Sequence, residues 1–325
     1  MHSEPTQSVE LRVFDLLKSG TLVKKAASRH AEVAVFRAGT SQGDSLVAVK
    51  HIVVNGQRAK ESIRGEFKTL QELQKVLGVP LRRTVPRPLL LLENEGTIFF
   101  SFVPGTSMSA TLRRDANAIT ARFNIVGRKR LEVCGRRVGK WLRAFHDATA
   151  APEQAFDHED FCIRLESLMA KCGPLGFPSS ILTAVRASAV TLSAASSGCA
   201  IPAAASHGDF LPQNVLLDDG QPGVIDFASF ASSGPVYTDL ATFAAYLMIL
   251  GRKPLYSRRV MESVIREFLT KYSSVLNESV LRLYLVRAVL RITTDGPPRS
   301  SRSNESVLDL LSNILNTKGD GLLSA

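Results

Sequence analysis

The stretch SHGDFLPQNVLLDDGQPGVIDF, residues 206–227, sets two carboxylates, Asp209 and Asp226, and an amide, Asn214, around apolar, strand-like segments. Val, Leu or Ile at those places would bury at far less cost. A charge withdrawn from water costs several kcal/mol unless a partner offsets it, which is comparable to a domain's whole net stability of about 5–15 kcal/mol. The candidate partner is a metal ion. Asp209 and Asn214 stand five apart in a loop opened by His207-Gly208, and Asp226 follows seventeen residues after Asp209, on the second strand of a hairpin-like segment. Transfer of a phosphoryl group from ATP needs a carboxylate to orient the attacking hydroxyl and accept its proton, and oxygen ligands to hold Mg2+ on the triphosphate. Mg2+ takes hard oxygen donors and keeps waters, so one or two carboxylates and an amide suffice where zinc would want His and Cys. Taken singly, the three residues read as a turn cap, an Asx turn and an ion-paired strand end; their joint spacing is what favours the metal.

Upstream of this stretch the first hundred residues are strand-rich. LVKKA (22–26), EVAVFRA (32–38) and DSLVAVKHIVV (44–54) alternate apolar and polar residues between Ser, Gly and Asp turn signals, which predicts an antiparallel meander. AKESIRGEFKTLQELQKVLG, residues 59–78, places Ile63, Phe67, Leu70, Leu73 and Leu77 at three- and four-residue steps and stops at Gly78 with Pro80 beyond, so it predicts a helix. Two apolar runs, RPLLLLE and TIFFSFVPG, are separated by the turn residues ENEG, and the second ends at Pro104-Gly105. From there on the pattern is helical, interrupted once by NVLLDDGQPGVIDF, and GPPRSSRSNES (296–306) reads as a loop before a last short amphipathic helix. The expected architecture is α+β and bilobal: residues 1–103 form a small antiparallel-sheet lobe with one main helix, residues 104–325 a larger helical lobe, with a ligand cleft between them. Lys50 ends the alternation LVAVK and Glu66 lies on the following helix, able to pair with it. A lone strand lysine is more often a surface residue that keeps its ammonium in water.

Composition bounds the alternatives. With 325 residues, 45% hydrophobic and 22% charged, the chain is long and apolar enough for a large core and is not of the disordered class. The first twenty residues carry acids among the apolar positions and lack a signal-peptide pattern, which speaks against secretion. The longest apolar run, Leu240–Leu250, falls well short of the ~20 residues that span a bilayer and predicts a buried helix, with no transmembrane segment. Cys134, Cys162, Cys172 and Cys199 have no paired or metal-ligand spacing, as expected of reduced thiols in a cytoplasmic protein. The net charge of +10 is local: residues 1–150 hold 25 Lys and Arg against 13 Asp and Glu, while the rest is slightly acidic. Much of it sits on RKRLEVCGRRVGKWLRAFH (128–146), an amphipathic helix in which Val133, Val138, Trp141, Leu142 and Phe145 share the apolar side. No aromatic residues interleave with the cations as a nucleic-acid platform requires, so a solvated face is expected and nucleic acid is not.

HGDFLPQNVLL followed by VIDF resembles the active-site signature of the aminoglycoside phosphotransferase family, the small-molecule branch of the protein-kinase-like fold, in which H-G-D-x-x-x-x-N replaces the protein kinases' H-R-D-x-x-x-x-N. VAVK with Lys50, GEFKTLQEL with Glu66, VPRPL, FFSFVPGTSM, GKWLRAFHDA and PVYTDLATF extend the resemblance over most of the chain. It implies that Asp209 is the catalytic base, Asn214 and Asp226 are Mg2+ ligands, Lys50 holds the α/β-phosphates of ATP, Glu66 positions Lys50, and His207 organises the loop. The phosphate turn departs from the kinase pattern: AASRHAEV has no glycine, so Ser28 and its neighbours would donate through backbone and hydroxyl. Asp226 is followed by Phe-Ala-Ser, and no A-P-E segment is evident, which weakens a protein-kinase reading. The acceptor implied is a small hydroxylated molecule. Glu153, Asp157, Glu159 and Asp160 could hold a cationic aminosugar, or simply mark a helix start; the basic first half pulls instead toward an anionic acceptor. The alternative function is a catalytically silent kinase-like module that binds nucleotide or a partner, for which the glycine-poor turn is the best support.

Overall fold

The computed structural model describes residues 20–27, 31–40, 43–52, 57–119, 124–296 and 301–316. Ser28 lies outside them. The chain divides into two compact units, the first running to Gly105 and joined by Gly223–Phe230, the second made of Thr106–Pro222 and the chain from Ala231 on. Asp226 therefore groups with Lys50 and Glu66, although in sequence it follows Asp209.

The first unit is a five-stranded antiparallel sheet with one long helix. Strands β1 (Thr21–Ala27), β2 (Ala31–Thr40) and β3 (Gly43–Ile52) form the expected meander, helix α1 (Gln57–Val76) follows, and β4 (Pro88–Leu92) and β5 (Thr97–Ser101) complete the order β1-β2-β3-β5-β4. β2 and β3 stay in register from Ala31↔Ile52 to Thr40↔Gly43. Side chains alternate between faces along β3, so Val47 and Val49 join Leu90 and Phe99 in an apolar cluster while Lys50 turns to the opposite face. The connection ENEG forms one 3-10 turn closed by Gly96 at φ 58, the left-handed region that a residue without Cβ enters freely. Along α1 the buried positions are Ile63, Glu66, Leu70 and Leu73, and Leu77 just beyond the helix is buried as well. Glu66 is 4% exposed whereas Phe67, expected on the apolar stripe, is only half-buried; a carboxylate occupies the inward position.

The second unit is mainly helical. In chain order it contains β6 (Thr106–Ser107), α2 (Met108–Asp115), α3 (Ile125–Ala148), β7 (Ala150–Ala155), α4 (His158–Cys172), α5 (Ser179–Ala195), β8 (Ala200–Ser206), β9 (Val215–Leu217), β10 (Ala231–Pro235), α6 (Tyr237–Gly251), α7 (Arg258–Leu269), α8 (Glu278–Thr294) and α9 (Ser301–Asn316). β6 pairs with β9, and β8 runs antiparallel between β10 and β7. This second sheet corrects the expectation of a single hairpin in a helical region. Its strands AAPEQA and AIPAAAS are rich in Ala and carry Pro, a composition with low strand propensity that gives no alternation to read. The last helix begins inside the stretch 296–306 expected as a loop, because α9 starts at Ser301.

α6 is buried almost throughout, as the apolar run 240–250 predicts, and among the described residues no helix is long and apolar enough to cross a membrane. α3 buries Leu131, Val138, Trp141, Leu142 and Phe145, but Val133 is 49% exposed, contrary to its expected place on the apolar side. Gly135 and Gly139 let α3 approach α7 closely: a Cβ at Gly135 would stand 2.7 Å from Val264 O, and one at Gly139 would overlap Phe268 O. The basic face of α3 is solvated or locally paired, with Arg130 on Asp115, Arg136 on Glu267 and Arg137 on the carbonyl of Asp218. The four cysteines are free.

Candidate active site

In the first unit, Lys50 Nζ donates to Glu66 Oε2 at 2.8 Å and to Asp226 Oδ1 at 2.7 Å. Three elements far apart in sequence supply the three groups: the end of β3, the buried face of α1, and the segment after Gly223–Val224. Burial alone would lower the lysine pKa, but the carboxylates of Glu66 and Asp226 outweigh it and raise the pKa above its ordinary value. The ammonium is thereby locked in the charged form. Asp226 does not lie on a strand as expected but just beyond Gly223–Val224, at φ 70, a left-handed conformation costly for a residue with a side chain. Phe227, 1% exposed, fixes the chain on its far side, and Phe230 N closes a turn onto Phe227 O at 3.1 Å. The strained residue is over-determined by what surrounds it, and its carboxylate is held against Lys50 with 44% of its surface open.

In the second unit, β8 ends at Ser206 and the loop 207–214 leads into β9. Asn214 Nδ2 donates to Asp209 O at 2.9 Å and to Asp209 Oδ2 at 3.2 Å, which leaves Asn214 Oδ1 as an oxygen donor. The loop is anchored from below by Asp239, the third residue of α6, which is fully buried. Its carboxylate accepts from Ser206 Oγ at 3.0 Å, His207 N at 2.7 Å and Gly208 N at 2.9 Å. Burial pushes this carboxyl up, yet His146 and His207 together outweigh burial and hold it below the usual carboxylate range. His146 Nε2 sits 3.6 Å from Asp239 Oδ2, beyond hydrogen-bond length, and its Nδ1 meets Tyr272 OH at 2.8 Å. His207 Nδ1 accepts from Asp209 N at 3.3 Å, so His207 organises the loop by hydrogen bonding. Gly208, at φ 79, takes the conformation the bend requires. Phe210, 0% exposed, pins the loop into an aromatic cluster with Trp141, Phe243 and Phe268.

Two anchoring residues escaped the sequence reading. Asp239 lies at the start of an apolar run, where an acid reads as a helix cap. Arg291, on α8, donates Nη1 to Gly208 O at 3.0 Å and Nη2 to Thr242 Oγ1 at 3.0 Å, and faces Asp209 Oδ1 at 3.9 Å. Its partners are 83 and 49 residues away, so no local pattern marks it. Two of the acids offered for an aminosugar belong to a helix start: Asp157 caps α4 through Asp160 N at 2.9 Å, and Asp160 pairs with Arg164 at 2.7 Å, while Glu159 in the first turn of α4 and Glu153 on β7 are exposed. Among the described residues no three His, Cys, Asp or Glu side chains gather as a metal site.

The chain has an α+β, protein-kinase-like fold, which it shares with solved structures of small-molecule kinases. It belongs to the phosphotransferase enzyme family, whose description "Phosphotransferase enzyme family" matches residues 25–263. No curated protein matches it in sequence. Aminoglycoside phosphotransferase APH(4)-Ia is similar at a TM-score of 0.62 and 15% identity, over 97% of this chain and 99% of that one. A glucosamine kinase in complex with glucosamine, ADP and inorganic phosphate is similar at a TM-score of 0.55 and 14% identity, over 91% and 94%. The gentamicin complex of APH(2")-IIa gives a TM-score of 0.53 and 12% identity, over 99% and 100%.

Proposed function

We propose that this chain transfers the γ-phosphate of ATP to a hydroxyl of a small molecule. The observation that carries the reading is the ammonium of Lys50 held between Glu66 and Asp226, in a chain whose other polar cluster sets Asp209 beside Asn214. Lys50 binds the α/β-phosphates and Glu66 fixes its direction. Ser28, which lies between β1 and β2 in sequence and outside the described residues, is the further residue proposed to donate to the phosphates. Asp209 orients the acceptor hydroxyl and takes its proton on attack. The residues that would hold Mg2+ are Asn214 and Asp226, whose side chains offer the hard oxygens this ion prefers. When bound, Mg2+ neutralises charge on the phosphates. The glucosamine kinase complex, with ADP and a hydroxylated aminosugar, supports the same class of reaction for this fold.

The test is ATP consumption with a panel of sugars, amino alcohols and aminosugars. The expected result is ADP release that requires both Mg2+ and one class of acceptor, with phosphate recovered on that acceptor. Stabilisation by nucleotide without hydrolysis or transfer would instead define a silent binding module.

A further inference from the structure

Arg287 and Arg291 stand one turn apart on α8, and the carboxylates around them do not balance their charge. Arg291 uses one donor on Gly208 O and one on Thr242 Oγ1, keeps a third of its side chain open, and faces Asp209 at 3.9 Å. A guanidinium carries five N–H donors, so most of the fork is left over. Arg287 is half-buried, with its guanidinium carbon 5.2 Å from the Tyr284 ring centre and 5.9 Å from that of Phe161. Its Nε is buried with no hydrogen-bond partner among the described residues. Asp160 acts on it only through space and is already held by Arg164 at 2.7 Å. Burial lowers the Arg287 pKa and the neighbouring Arg164 and Arg291 add to it, while Tyr284 and Asp160 oppose it only in part.

We propose that Arg287 and Arg291 form a seat for an anionic group, carboxylate or phosphate, carried by the same small molecule whose hydroxyl is phosphorylated. This rests on the reading of Asp209 as the base. The guanidinium fork grips either anion through two parallel hydrogen bonds, a geometry that lysine lacks. Four residues of helix advance about 6 Å, so the two residues are close enough to act on one small molecule whose hydroxyl lies at Asp209. An ammonium placed there would meet two guanidinium groups, and Asp157 and Asp160, two of the acids expected to welcome it, are engaged at the start of α4. The acceptor is thus an acidic or phosphorylated sugar or polyol.

Two arms test this. In the first, the melting temperature is followed against inorganic phosphate and against malonate, with Mg2+ and ADP present, for the wild type, Arg287→Met and Arg287→Lys. Stabilisation by at least one anion should need about 10- to 100-fold more of it in Arg287→Met, the worth of a lost charge-assisted hydrogen bond or two. Arg287→Lys, which keeps the charge, should fall between and shows that the fold survives. Identical anion dependence in all three proteins, or no stabilisation of the wild type, overturns the proposal. In the second arm, kcat/KM is compared for glucose, glucose 6-phosphate, glucuronate and glucosamine. Preference for either anionic sugar is expected, and which of the two wins separates phosphate from carboxylate; preference for glucosamine overturns the seat. Anion stabilisation that depends on Arg287, with no acceptor phosphorylated at all, keeps the seat and removes the phosphotransfer reading.

Discussion

Lys50 Nζ lies 2.7 Å from Asp226 Oδ1 across 176 residues of chain, and the same nitrogen donates to Glu66 at 2.8 Å. One ammonium thus ties a strand, a helix and a strained loop residue together in the first unit. The two carboxylates do not weigh equally: Glu66 is 3% exposed and Asp226 44%.

Replacing Lys50 with Met should destabilise the protein by about 2–3 kcal/mol, chiefly because the buried carboxylate of Glu66 loses its cationic partner. The open side of Asp226 adds little, since exposed ion pairs are worth about 0–1 kcal/mol. The folded-state pKa of Lys50 is raised above its unfolded value, which is about 10.4. Its contribution is therefore full below that pH and is lost as pH rises through the folded value. Urea unfolding should show a constant gap between wild type and Lys50→Met from neutral pH to about 10, narrowing above. Equal stability at neutral pH would contradict the pairing.

Asp239→Asn should cost about 3–5 kcal/mol, because the carboxylate it removes is buried and accepts from Ser206, His207 and Gly208. The folded-state pKa of Asp239 is depressed, so its contribution is present above the unfolded value of about 3.9 and fades as pH falls through the folded one. The gap between wild type and variant should hold down to about pH 4 and shrink below it. An acid-unfolding series on both proteins reads this directly; a gap that widens toward acid would contradict the assignment.

Gly139→Ala should destabilise by about 1–3 kcal/mol, as expected of overpacking, since the added methyl collides with the Phe268 carbonyl where α3 crosses α7. Gly65→Ala, on α1 where nothing lies within 4 Å of the added carbon, should be neutral or stabilising by up to about 1 kcal/mol through helix propensity. Thermal melts of the pair test the close approach, and a loss at Gly65 as large as at Gly139 would count against it.

Much of the first unit was legible because its periods are clean. β2 and β3 alternate, α1 repeats at three and four, and each break after β2 carries Gly or Pro. Lys50, Glu66, Asp209, Asn214 and Asp226 were found through spacing and residue type, and the structure brings Lys50, Glu66 and Asp226 together and sets Asp209 against Asn214. What sequence could not show are contacts with no local signature. Arg291 reaches a backbone carbonyl, which any residue could offer at Gly208. Asp239 hides at the head of an apolar helix. β7 and β8 are built from Ala and Pro, which pair as strands only because tertiary packing overrides their propensity. The inward Glu66 and the outward Val133 show the same limit: a helical pattern fixes a face to within a residue, and packing chooses between neighbours.

The most direct test of the account is single-turnover phosphate transfer by Asp209→Asn beside the wild type, with Mg2+ and ATP binding measured on the same samples. Nucleotide affinity should stay within a few-fold while transfer to the acceptor slows by about 10²–10⁴, the loss expected when a general base is removed. Transfer at the wild-type rate would contradict the role of Asp209 and with it the proposed reaction.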